Sequence, residues 1–105
     1  MQAPETKTLI RRTSPDGKLD AILYSEDAGA TTTVSYEIVV TEKGGSLNSG
    51  KLLVSMDHGD PSKFDLTWTS SQKLSAYLGD ADVYLTCSPG QVGGAKVEVD
   101  FSAQN

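Results

Sequence analysis

Alternation of apolar and polar residues, interrupted by reverse-turn residues, is the feature that most constrains the fold of this chain. Between residues 33 and 41 every second position is apolar, at Val34, Tyr36, Ile38 and Val40, and the positions between them are polar except Val39. A period of two is typical of a half-buried β-strand, whose successive side chains point to opposite faces of a sheet. Upstream, the segment Ser14-Pro15-Asp16-Gly17 contains residues that favour a tight reversal of the backbone. The sequence therefore predicts antiparallel strands joined by turns.

The same pattern recurs along the chain and predicts up to eight short strands. They cover residues 8–13, 19–26, 33–41, 51–56, 64–69, 72–78, 82–87 and 96–101. Residues 72–78 also suit a helical stripe, although the strand pattern is favoured. The glycine-rich segments Glu42–Gly50 and Ser88–Gly94 are predicted to be flexible loops. We expect Trp68 to anchor the core.

These elements predict an all-β single domain spanning residues 1–105, with residues 1–6 as a flexible N-terminal tail. Short connections between antiparallel strands favour a meander that closes into a sandwich or a small barrel. A chain of 105 residues is long enough for one modest hydrophobic core.

The charge balance is acidic, with 14 Asp and Glu against 9 Lys and Arg, giving a formal charge of −5. A negative chain is repelled by phosphate backbones and by anionic lipid surfaces, so nucleic acid is disfavoured as a partner. The first predicted strand is instead basic, because it contains Arg11 and Arg12. Two interpretations stay open: these side chains protect an exposed edge strand from aggregation, or they form a docking edge for an acidic partner.

Cysteine content and the chain start constrain the compartment little. The single cysteine, Cys87, cannot form an intramolecular disulfide, and its phase with Val83 indicates a packing role. No apolar run is long enough to span a membrane, and Met1-Gln2-Ala3-Pro4 does not resemble a signal peptide. The start is also consistent with the loss of a targeting segment, which would allow a lipid anchor on a removed N-terminus.

Asp57-His58-Gly59-Asp60 is the densest group of ligand-type side chains. Two carboxylates flanking an imidazole are candidate metal ligands if a third group joins them, although the same residues also suit a turn between strands. No metal or cofactor is predicted on the spacing alone. Ser70-Ser71-Gln72-Lys73 matches the Ser-x-x-Lys pattern of acylating enzymes, but its place in a polar link after a strand favours a loop.

Exposed polar side chains in the predicted loops and on the first strand are the candidates for binding a protein partner. They are Thr31, Thr32, Asp57, Asp60, Asp80, Asp82, Arg11 and Arg12. The threonines follow a glycine and offer hydroxyl groups to a neighbouring strand, while the aspartates would face a basic partner.

The segment Ser14-Pro15-Asp16-Gly17-Lys18, followed by an apolar strand, resembles the blade opening of bacterial β-propeller proteins of the periplasmic Tol-associated type. The resemblance implies one hairpin and not a propeller, since no second copy occurs. Together with Gly29-Ala30-Thr31-Thr32 the segment is similar to small bacterial proteins, many of them exported or lipid-anchored. That similarity implies a periplasmic or cell-envelope location.

The sequence thus predicts a non-catalytic protein-binding domain of the bacterial cell envelope. Its more specific form is an acidic inhibitor or immunity-type protein that neutralises a basic partner. The alternatives are a small metal-dependent hydrolase centred on His58, and an accessory structural subunit that pairs through its first strand.

Overall fold

The computed structural model describes residues 5–27, 34–79, 81–87 and 90–100. Within these ranges the chain forms nine β-strands and two short 3₁₀ turns, at Leu47–Ser49 and Pro61–Lys63. The strands are β1 (Glu5–Thr13), β2 (Leu19–Asp27), β3 (Ser35–Glu42), β4 (Lys51–Asp57), β5 (Asp65–Ser70), β6 (Lys73–Tyr77), β7 (Asp82–Thr86), β8 (Gly90–Val92) and β9 (Ala95–Asp100).

The strands form two sheets. The first has the order β1-β2-β3-β4-β7 and is antiparallel throughout, whereas the second has the order β5-β6-β9-β8. The predicted all-β single domain is confirmed. A continuous antiparallel meander describes only β1 to β4, because β7 returns to the first sheet and β9 pairs with β6 in parallel.

The core lies between the two sheets and follows from the period-two alternation. On β3 the side chains of Tyr36, Ile38 and Val40 point inward and are buried. Leu23 and Met56 on the neighbouring strands and Leu66 and Leu74 on the second sheet complete this centre, and Tyr36 meets the ring of Phe64 edge-on at 5.0 Å. Residues at the intervening positions point away from the second sheet, which defines the outer face of the first sheet.

The first reversal forms as its residues predict. Gly17 has a φ of +74°, and its N–H donates to the Ser14 carbonyl oxygen at 2.9 Å. The Ser14 hydroxyl donates to the Asp16 carboxylate at 2.6 Å, and the Leu19 N–H donates to that hydroxyl at 3.1 Å. Hydrogen bonds from Ser14 and from the Lys18 N–H lower the pKa of Asp16. The turn therefore consists of a buried serine and an ionised aspartate that connect β1 to β2.

Four local predictions need correction or decision. Glu5 and Thr6 belong to β1 and not to a flexible tail, and residues 90–92 of the predicted glycine-rich loop form β8. Residues 73–77 are a strand, as favoured. Trp68 is only half-buried at the edge of the core, where its indole N–H donates to the Arg12 carbonyl oxygen at 2.9 Å.

The segment after β3, residues 43–50, is predicted to be a flexible loop but packs against the outer face of the first sheet. We call this segment the cover. Its Leu47 packs over Ile22 and Val39, which form a second small apolar cluster. Its start is held by Asp20, whose carboxylate accepts from the Gly44 N–H at 3.1 Å. Glycines permitted this tight path, but burial of an apolar patch explains why the segment is ordered. No helix among the described residues meets the length and apolarity that crossing a membrane requires.

Candidate functional site

One row of residues crosses the outer face of the first sheet and carries three carboxylates. Strand pairing aligns Glu26 of β2 with Ser35 of β3, Ser35 with Asp57 of β4, and Asp57 with Asp82 of β7. Their neighbours Tyr36, Met56 and Val83 contact the core, so the row points outward. We call Glu26, Asp57 and Asp82 the acidic row.

Within the part of the chain that the structure describes, the acidic row has no arginine or lysine partner. Among the described residues, the ion pairs of Asp57 and Asp82 are with His58 alone, and Glu26 has none. The side chain of Asp82 is 74% exposed and that of Asp57 is 30% exposed. Asp57 and Asp82 are directly opposite on adjacent strands and repel each other, and Glu26 lies in the same row beyond Ser35, so this arrangement concentrates negative potential at one end of the sheet.

His58 lies directly after β4 and closes over the end of the acidic row. Its Nδ1 is 2.9 Å from Oδ1 of Asp57 and 3.2 Å from Oδ2 of Asp82. The backbone of His58 has a φ of +58°, and the following Gly59 packs against Phe64 and Ala81 so closely that a Cβ there would lie 2.5 Å from the Phe64 ring. The tight turn thus holds the imidazole beside both carboxylates.

Asp60, predicted as a metal candidate with Asp57 and His58, has a different role. Its carboxylate caps the 3₁₀ turn by accepting from the Ser62 hydroxyl at 2.8 Å and from the Ser62 N–H at 3.1 Å. These two hydrogen bonds lower the pKa of Asp60. Among the described residues, the group that can hold a metal ion is therefore Asp57, His58 and Asp82, whose ligand atoms lie within 4.8 Å of one another.

One row further in, a carboxylate is hydrogen-bonded on both oxygens. Glu37 accepts from the Tyr24 hydroxyl and, at 3.1 Å, from the Ser55 hydroxyl. Burial, followed by the hydrogen bond and charge of Glu37, raises the pKa of Tyr24. Glu26 and Glu37 were not among the residues predicted from the sequence. Both alternate with the core positions of β2 and β3, and this alternation could have placed them on the outer face.

The two arginines of β1 are engaged within the domain. Arg11 binds Asp20 through Nε at 3.0 Å and Nη2 at 2.8 Å, and Nη2 also donates to the Gly45 carbonyl oxygen. Arg12 donates to the Leu66 carbonyl oxygen at 3.2 Å, which connects β1 to β5 across the two sheets. Thr31, Thr32 and Asp80 lie outside the described residues.

A cleft of about 850 Å³ opens at the opposite end of the sandwich, between the turns. Its lining combines Asp16 and Glu42 with Lys18 and Lys43, so its charges favour neither anions nor cations. Ser70 and Lys73 border this end as directly paired residues of the β5–β6 hairpin. The hairpin replaces the helical turn that a Ser-x-x-Lys mechanism uses, as the loop interpretation expected.

No family model matches the chain, and searches of curated proteins and of solved structures return no significant match.

Proposed function

We propose that this chain is a non-catalytic binding domain that recognises a basic protein through the acidic row. The observation that carries the proposal is the alignment of Glu26, Asp57 and Asp82 in one row that crosses four strands of one face. Such an alignment costs the isolated domain repulsion energy, and a basic partner would remove that cost on binding.

The surface is suited to rapid association. Its carboxylates lie on β-strands, whose positions are fixed by pairing, so they are presented without a large ordering cost. A net charge of −5 adds long-range attraction for a positively charged partner. The more specific form of the proposal is an inhibitor or immunity-type protein of the bacterial envelope, supported by the acidic surface and by the resemblance of residues 14–18 and 29–32 to exported bacterial proteins.

The contacts of the two arginines of β1 argue against a docking role for that strand. Arg11 is committed to Asp20 and Arg12 to Leu66. A partner that used these guanidinium groups would have to break contacts that hold the domain together. A partner at the acidic row would displace only the exposed imidazole of His58 from Asp57 and Asp82.

The test is affinity capture from a lysate of the source organism with matched charge variants. The double variant Glu26→Gln/Asp82→Asn removes two of the three charges of the acidic row, and Glu42→Gln/Glu98→Gln removes the same charge from exposed positions elsewhere. We expect one stoichiometric basic partner to be retained at low salt by the wild type and the control, and to be lost at high salt or with the acidic-row variant.

Equal retention by both variants would place the contact elsewhere on the domain and contradict the proposal. Failure of the wild type to retain any protein would contradict it as well. A thermal unfolding curve for each variant ensures that a loss of capture is not a loss of folding.

A further inference from the structure

We propose that Asp57, His58 and Asp82 form a binding site for a divalent transition-metal ion of the zinc type. The three groups come from two directly paired positions, at the end of β4 and the start of β7, and from the residue that follows β4. Their ligand atoms converge within 4.8 Å of one another. This inference goes beyond the protein partner proposed above, but it shares Asp57 and Asp82 with the acidic row, so a bound cation would compensate part of the charge offered to that partner.

Asp57 and Asp82 share a single hydrogen-bond donor on His58. Both carboxylates approach the same nitrogen, Nδ1 of His58, at 2.9 Å and 3.2 Å. A neutral imidazole has at most one proton on that nitrogen, so two negative groups share one N–H. The ion pairs of the described residues bring no lysine or arginine to either aspartate. A cation between the three atoms would compensate both charges.

The spacing between the His58 nitrogen and the two carboxylate oxygens is close to that of a zinc site. In a tetrahedral zinc site, ligands at about 2.0–2.1 Å from the ion lie about 3.3 Å from one another. The two nitrogen–oxygen distances observed are 2.9 Å and 3.2 Å. These two separations are within a few tenths of an ångström of the zinc value. The third, between the carboxylate oxygens of Asp57 and Asp82, is within 4.8 Å, and the largely exposed side chains of His58 and Asp82 can move to shorten it.

The types of ligand atom in the cluster favour zinc over calcium and magnesium. One imidazole nitrogen with two carboxylate oxygens is a ligand set that suits zinc and its neighbours in the transition series. Calcium and magnesium prefer sets made of oxygen alone. Three protein ligands leave a fourth position open to water, and the 62% exposure of His58 gives the ion a direct path from solvent.

Isothermal titration of the full chain with zinc chloride tests this site. The background is Cys87→Ser, because Cys87 is the only thiol of the chain and would compete for zinc. We expect saturable binding of one ion per chain. Loss of an outer-shell partner alone typically weakens a metal site by about tenfold or more, so His58→Ala and Asp82→Asn should each weaken binding at least that much.

Asp60→Asn is the matched control. It removes a carboxylate two residues from His58 while leaving an amide oxygen to cap the 3₁₀ turn, and Asp60 lies outside the cluster. The control should keep the parent affinity. Zinc-induced shifts in the amide spectrum should centre on residues 57, 58 and 82.

Three results would overturn the proposal. They are no saturable binding by the parent protein, parent-like affinity of His58→Ala, and an equal loss of affinity in Asp60→Asn and Asp82→Asn, which would indicate diffuse acidic attraction. An unfolding curve for each variant, measured without zinc, separates lost ligands from lost structure.

Discussion

The outer face of the first sheet carries carboxylates at both ends. The charge at one end is compensated within the domain, and the charge at the other end is largely not. At one end Asp20 is 3% exposed and receives hydrogen bonds from Arg11, Thr13 and the Gly44 N–H. About six residues further along β2, or roughly 20 Å away, the acidic row begins at Glu26. Its members face water, and a single imidazole serves two of them.

The difference separates a charge that stabilises the fold from charges that the fold leaves available. Asp20 links β1, β2 and the cover after β3 in one network, so the domain depends on it. Among the described residues, the ion pairs of Asp57 and Asp82 link only the turn at His58. Glu37 is intermediate, since Tyr24 and Ser55 use both of its oxygens without neutralising it. Along the face, the internal compensation of negative charge thus decreases toward the acidic row.

Asp20→Ala should have the largest effect on stability. The change removes a buried acceptor and leaves Arg11, Thr13 and Gly44 without their shared partner, so we expect a loss of about 3 kcal/mol in the free energy of unfolding. Urea unfolding measures it. The control is Asp65→Ala, which removes the exposed carboxylate 3.5 Å from Arg12 and should cost no more than about 0.5 kcal/mol. Equal losses would mean that burial does not distinguish the two pairs.

Acidification should act on the same network. Burial opposes ionisation of Asp20, but hydrogen bonds from Thr13, Gly44 and Arg11 outweigh it and lower its pKa below the ordinary 3.8. A lowered pKa in the folded state contributes stability that is present above pH 3.8 and is lost as the pH falls through the folded value. Unfolding free energies measured from neutral to acidic pH should therefore decrease less steeply in Asp20→Asn than in the wild type. Parallel curves would contradict this assignment.

How far the sequence could anticipate this contrast depends on the range of the interactions involved. Alternation around Tyr36 and Ile38 is local and correctly placed the core face of β3. The acidic row needed the register of four strands, which is set by distant pairings and by a bulge between Ser55 and Met56. The partnership of His58 with Asp82 in place of Asp60 also depends on β7 returning to the first sheet, a crossover that no local pattern encodes. Similarly, the glycines of residues 44–50 predicted a flexible loop, whereas contacts with Ile22 and Val39 order this segment as the cover.

Tyr24→Phe should have a moderate effect. It removes one of two hydrogen bonds to Glu37, with an expected loss of about 1 kcal/mol at neutral pH. Because the pKa of Tyr24 is raised in the folded state, its contribution is complete below the ordinary value of 10.0 and decreases as the pH rises above it. Urea unfolding at neutral and alkaline pH measures both effects. Tyr77→Phe, at an exposed position, should change neither, and an equal loss there would remove the special role of the Tyr24 hydroxyl.

Asp82→Asn should have the smallest effect on stability and so gives the sharpest form of the comparison. The side chain is 74% exposed, and its ion pair with His58 involves an imidazole that is itself 62% exposed. Replacing it relieves repulsion within the acidic row while losing that weak pair, so the free energy of unfolding should stay within about 0.5 kcal/mol of the wild type. Urea unfolding beside Asp20→Asn, the same substitution at the other end of the face, provides the measurement. A loss above about 1 kcal/mol would show that Asp82 supports the fold. A neutral result would leave a carboxylate that the domain holds in place without needing it, which is the property expected of a residue used for binding.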